Sequence, residues 1–177
     1  MLLAADAREA LNLDRLIFVP AGAQPFKVET PPLASARDRL EMLQLAVADD
    51  AYYQVDDAEI NRKGLSYTVD TLEHLATRYP TAKLFLLLGE DTQASFEKWR
   101  DPKRILELAT LAVMRRAGGA DEGGKAKPVP SGVLEVSARR VDVSSTEIRA
   151  RLKAGKSIKG FVPESVERFI DARGLYR

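Results

Sequence analysis

The sequence predicts an α/β domain built on a mostly parallel sheet with helices on both faces, and three observations carry that prediction. Short apolar runs recur at wide spacing along the chain. Most intervals between them place apolar residues three and four positions apart, the period of a helix with one buried face. The chain has 177 residues, which fits a single domain, 1–177, able to bury roughly 70% of its unfolded surface. Strands alternating with helices are the mark of crossover units, whose strands run parallel.

In chain order, Ala4 to Leu13 reads as a helix and LIFV (16–19) as the first strand candidate. The loop GAQPFKVETPP (22–32) follows and holds three prolines. Leu33 to Asp49 is helical through Leu33, Leu40, Leu43, Ala46 and Val47, and leads to a strand at YYQV (52–55). Val69 to Tyr79 is a helix with the stripe Val69, Leu72, Leu75, Ala76 and Tyr79, which leaves His74 on the opposite, solvated side. KLFLLL (83–88) is a strand, Ile105 to Ala109 a helical stretch, and LAVM (111–114), LEV (134–136) and VDV (141–143) are further strand candidates. Residues 118–132 collect five glycines and read as an exposed loop between strands. Val162 to Ala172 closes the chain as a helix, with Pro163 near its first turn and Gly174 past its end.

Composition excludes several kinds of chemistry. With no cysteine, disulfides, thiolate nucleophiles and sulfur-held metals are ruled out, and one histidine forbids a multi-histidine metal site. No apolar run approaches the roughly 18 residues of a membrane span, and the stretch Met1 to Ala5 is too short for a signal peptide. A cytoplasmic protein with no membrane and no nucleic-acid partner is expected. The net charge is +1, but residues 139–177 hold ten Lys and Arg against five Asp and Glu. That excess suits a small anionic ligand or, more commonly, a solvated helical face.

Ligands of open α/β sheets bind beyond the carboxyl ends of the strands, so the residues after each run carry the chemistry. After LIFVP stand Pro25, Phe26 and Lys27, the lysine being either a phosphate contact or a solvated charge. After LFLLL comes Gly89-Glu90-Asp91, where the glycine permits close approach. Asp91 can accept from ribose hydroxyls or simply cap the helix after it. Trp99 can stack on a flat ligand or pack at the core edge. In EINRKGLSYTVDTL (59–72), Ser66 or Thr68 can cap the helix near Val69, whose amides can also take an anion, and Tyr67 lines a pocket or packs. Arg115 and Arg116 end a strand, near phosphates or merely exposed. In VDVSSTEIRARL (141–152), Ser144 and Glu147 form a capping box, which leaves Ser145, Thr146 and Arg149 unexplained by capping. Hydroxyls, dipole and an arginine one turn in make a site for an anion, most simply a polyphosphate.

The series PFK (25–27), DDAEINRKGLSYTVDTL (56–72), LLLGEDTQASFEKW (86–99), VMRRAG (113–118), VDVSSTEIRARL (141–152) and the closing RGLYR (173–177) resembles bacterial nicotinate-nucleotide adenylyltransferase, in this order and over the whole length. The resemblance implies a Rossmann-like nucleotidyltransferase fold. It also implies transfer of AMP from Mg2+-bound ATP to nicotinate mononucleotide, giving nicotinate adenine dinucleotide and pyrophosphate in NAD biosynthesis. By motif, Ser144, Ser145, Thr146 and Arg149 would hold the ATP phosphates and Lys27 would meet phosphate, with Lys27 and Arg149 acting in catalysis. Gly89 and Asp91 would border the nucleotides, while Tyr67, Thr68 and Trp99 would shape the nicotinate mononucleotide pocket. No protein-held metal is implied. Homo-oligomers are left open.

One departure stands out. The family opens with a strand and a GGxFDPxHxGH segment whose two histidines contact ATP phosphates, whereas MLLAADAREAL matches the helix that follows it. In the usual strand order 3-2-1-4-5 that first strand is central, and without it LIFV and KLFLLL lack a shared neighbour. The expectation is a chain truncated relative to the family, by a start assigned too far downstream or by a true deletion, with reduced or no activity as written. The alternatives are a noncatalytic nucleotide-binding remnant and an adenylyltransferase for another phosphorylated acceptor.

Overall fold

In the computed structural model, which describes residues 1–23, 33–62, 64–116 and 132–177, the apolar runs become parallel strands and the periodic stretches become helices. The elements are α1 (Leu2–Leu11), β1 (Leu16–Phe18), α2 (Ala36–Val47), β2 (Tyr53–Val55), α3 (Ala58–Asn61), α4 (Thr68–Arg78), β3 (Phe85–Gly89), α5 (Glu90–Gln93), α6 (Pro102–Leu108), β4 (Thr110–Arg116), β5 (Leu134–Ala138), α7 (Ser145–Lys153) and α8 (Glu164–Arg173). A 3-10 turn covers Phe96–Lys98. They form two compact units, residues 1–14 with 67–140 and residues 15–66 with 141–177.

The first unit is a three-stranded sheet in the order β3-β4-β5, every pair parallel. β4 is central and buried on both faces: Leu111 and Val113 point one way and Ala112 the other, and none is more than 2% exposed. A strand covered on both sides reads as an unbroken apolar run rather than an alternation, which is how LAVM reads. Val69 and Leu72 of α4, Leu88 of β3, Phe96, Ile105 of α6 and Leu111 of β4 form one core. β5 alternates instead, with Val136 and Ala138 buried between exposed Glu135 and Ser137. α1 packs on β5, and Asp6 is tied to the end of that strand: it accepts from the Arg139 amide at 2.9 Å and pairs with the Arg139 guanidinium at 2.7 Å.

In the second unit β1 pairs with β2 in parallel, Leu16 opposite Tyr53 and Phe18 opposite Val55. The Phe18 and Tyr53 rings meet edge to face at 5.8 Å. α2 packs against β2 and α8. Leu152 of α7, Ile158, and Val166 and Ile170 of α8 form a second core with Met42, Leu45 and Ile148 against it. The closing helix is capped as its sequence predicts, Pro163 before it and Gly174 after it at φ 60°, a left-handed conformation that favours glycine. Among the described residues, β1 and β3 each carry a ladder on one edge only.

Three expectations change. VDV (141–143) is not a strand but the extended connection into α7. Val143 is 44% exposed, so a run this short, with a carboxylate at its centre, has no buried face to reward pairing. The second helix starts at Ala36 rather than Leu33, because Ser35 caps it by accepting from the Asp38 amide at 3.0 Å and leaves Leu33 exposed. Neither Ser66 nor Thr68 caps α4: Tyr67 is the N-cap without a side-chain capping bond, Thr68 is already helical, and the Ser66 hydroxyl is engaged by Gly22. The short α3, α5 and 3-10 turn carry too few residues to show a period. The loops 22–32 and 118–132 lie outside the described residues except Gly22, Ala23 and Gly132.

Candidate functional site

The richest corner of the second unit is the entry to α7. Ser144, extended at φ −120° and ψ 147°, accepts from the Glu147 amide at 3.1 Å, the hydroxyl half of the capping box. Ser145 and Thr146 lie exposed in the first turn. Arg149, one turn further and half-buried, donates from Nη2 to the Thr146 hydroxyl at 3.3 Å. That bond holds the guanidinium back over the helix start, where the dipole already favours negative charge. The arrangement combines backbone donors, the exposed hydroxyls of Ser145 and Thr146 and a guanidinium, which is what a phosphate chain requires. Tyr176, like Ile148, packs at the edge of the second core. Burial pushes its phenol above the ordinary range, against the opposing pull of Arg149 and Arg39.

The carboxyl end of β1 is held by a network that sequence alone does not reveal. Gly22 donates its amide to the Ser66 hydroxyl at 3.1 Å and accepts at its carbonyl from Arg39 Nη2 at 3.2 Å. Ser66 in turn donates its amide to the Ala23 carbonyl at 2.8 Å, and Ala23 bridges Leu65 in parallel. A Cβ at Gly22 would fall on the Glu59 carbonyl oxygen, so no larger residue fits. The visible signal is a glycine three residues after the LIFV run; its partners, far along the chain, are not visible. The loop rooted here bears Lys27, which lies outside the described residues.

In the first unit, Gly89 ends β3 and caps α5 in an extended conformation, and a Cβ there would meet nothing within 4 Å. The glycine therefore answers no crowding within the chain and leaves open space above the strand end. Asp91 is exposed in the first turn of α5 and is not its cap. Tyr67 and Trp99, far apart in sequence, both pack against the core that contains Phe96, with the Trp99 ring 5.6 Å from Phe96. Packing thus accounts for part of Trp99, and its half-exposed remainder is available for stacking. The Arg100 guanidinium lies 4.6 Å from the centroid of the Tyr67 ring and 3.9 Å from an Asp70 oxygen. Arg115, next to last in β4, lies between Glu90 at 3.6 Å and Glu135 at 3.5 Å, so its charge is balanced within the sheet end. His74 is exposed, on the face opposite the α4 stripe. The structure brings Tyr67, Thr68 and Trp99 into one unit with Gly89 and Asp91, and Ser144, Ser145, Thr146 and Arg149 into the other.

No helix among the described residues is long and apolar enough to cross a membrane. Among them no cluster of three acidic or histidine side chains would hold a metal ion.

Residues 1–151 match the cytidylyltransferase-like family. Over the whole chain the sequence is 42% identical to a protein of Gemmatimonas aurantiaca, of which it covers 85%, and 42% identical to one of Thermus thermophilus, of which it covers 91%; each carries the name probable nicotinate-nucleotide adenylyltransferase. The solved structure of Plasmodium falciparum nicotinic acid mononucleotide adenylyltransferase complexed with NaAD superimposes with a TM-score of 0.73 at 14% identity, covering 98% of this chain and 88% of that one. Likeness at that identity shows a shared fold. Motif order, full-length identity and fold agree: the chain belongs to the nicotinate-nucleotide adenylyltransferase family.

Proposed function

We propose that the protein transfers AMP from ATP to nicotinate mononucleotide, forming nicotinate adenine dinucleotide and pyrophosphate in NAD biosynthesis. The observation that carries this reading is the entry to α7, where Ser144 is spent on capping while Ser145, Thr146 and Arg149 remain to meet phosphate. Full-length identity to relatives named for this activity supports it. In the reaction a phosphate oxygen of the mononucleotide attacks the α-phosphorus of ATP, and the bond from that phosphorus to the β-bridging oxygen breaks as pyrophosphate leaves. Such a transfer needs alignment and positive charge rather than a covalent nucleophile, which fits a chain without cysteine. Arg149 and Lys27 supply charge, Ser145 and Thr146 hold the triphosphate, and Ser144, whose oxygen accepts in the cap, has its O–H left to donate to it. Gly89 and Asp91 border the nucleotides; Tyr67, Thr68 and Trp99 enclose the nicotinate, with Trp99 stacking on it. Mg2+ bound to ATP would supply further positive charge at the phosphates without a side-chain cage of the protein.

Calorimetry with each substrate, followed by pyrophosphate release with both, tests the proposal. ATP and nicotinate mononucleotide are each expected to bind. Arg149→Ala is expected to weaken ATP about tenfold or more, while Trp99→Ala weakens the mononucleotide more than ATP. A protein that binds neither substrate overturns the reading. Binding of both without pyrophosphate restricts it to nucleotide binding.

A further inference from the structure

Arg100 and Arg104 sit near each other in sequence but are used differently. Arg104 is engaged twice over, by Glu73 at 3.1 Å and Glu107 at 2.9 Å, and serves as a strut between α4 and α6. Arg100 lies over the Tyr67 ring at 4.6 Å, and its nearest carboxylate oxygen, on Asp70, is 3.9 Å away, beyond hydrogen-bond length. Among the described residues this loose pair and the ring are its contacts, and its side chain is 58% exposed. A guanidinium resting on an aromatic face keeps its five N–H donors in a rigid planar fork, the geometry that matches a carboxylate. The ring beneath it belongs to Tyr67, and the residue before it is Trp99.

We propose that Arg100 is a specificity-determining residue that reads the ring carboxylate of the mononucleotide and so separates a pyridine carboxylate from the corresponding amide. This rests on the reading of Tyr67, Thr68 and Trp99 as walls of the nicotinate pocket. The cation–π seat on Tyr67 fixes the guanidinium without consuming its donors. With Arg100 in place the acid is preferred; without it the preference shrinks.

The chain's only tryptophan, Trp99, reports ligand arrival directly by fluorescence. Dissociation constants for nicotinate mononucleotide and nicotinamide mononucleotide are measured on the full chain, with Arg100→Ala and Arg100→Lys alongside. Wild type is expected to prefer the acid. Arg100→Ala is expected to weaken the acid about tenfold or more, the worth of one charge-assisted hydrogen bond, and to leave the amide within about twofold. Arg100→Lys keeps the charge but not the fork and falls between. In wild type the preference is expected to shrink as salt rises, a readout that needs no variant. An acid-to-amide ratio unchanged in Arg100→Ala, or equal losses for both ligands, overturns the role of Arg100 while leaving the pocket intact. Failure of wild type to bind either mononucleotide overturns the pocket itself, and the proposal with it.

Discussion

Gly22 shows how a single position can be fixed by its surroundings rather than by its own chemistry. Its amide, its carbonyl and the space where a side chain would stand are all occupied, by Ser66, Arg39 and the Glu59 backbone. Gly22→Ala is expected to cost about 2 kcal/mol in urea unfolding, since backbone atoms and not a flexible side chain must move. An unchanged midpoint would show that the segment around Glu59 yields. Asp6 makes the complementary electrostatic case. Hydrogen bonds from the Arg139 side chain and amide hold its carboxyl below its ordinary value of 3.8. A carboxylate whose value is depressed on folding stabilises the fold above its unfolded value and loses that contribution as pH falls through the folded one. Thermal unfolding of wild type and Asp6→Asn is therefore expected to differ at neutral pH and to converge below about pH 4. A difference that persists in strong acid would mean packing, not charge, is the source.

At the scale of the element, α7 separates structural from functional hydroxyls. Ser144→Ala removes the cap and is expected to destabilise by about 1 kcal/mol, read from the urea midpoint. Thr146→Val keeps the cap and is expected to leave stability nearly unchanged while weakening ATP, because the hydroxyl that steadies Arg149 is lost. Equal effects of the two on stability would erase the distinction. β4 is the other decisive element. Partners on both edges and burial on both faces make its amides the expected slowest to exchange with deuterium, slower than those of the three-residue β1 and β2.

For the whole molecule, each unit is assembled from two separated stretches, so the chain passes between units after residues 14, 66 and 140. Neither unit can complete itself from one continuous piece of chain. We propose that residues 1–177 unfold as one domain, with a single urea transition seen alike by tryptophan fluorescence and circular dichroism. Two separated transitions would make the units independent.

Much of the fold was legible in the sequence because burial imposes period: LIFV, YYQV, KLFLLL, LAVM and LEV each became a strand, and the three- and four-spaced stretches became helices. The local chemistry of α7 was legible too, since a cap and its partner lie three residues apart. The sequence by itself determined the longer elements, their parallel arrangement and the hydroxyls with Arg149 at the start of α7. Only the tertiary structure decided that VDV stays outside the sheets, that Ser66 serves Gly22 instead of capping α4, and that Arg100 rests on Tyr67. The last two outcomes depend on partners distant along the chain, and a hydrogen bond or ring contact carries no trace of its partner in the residues beside it.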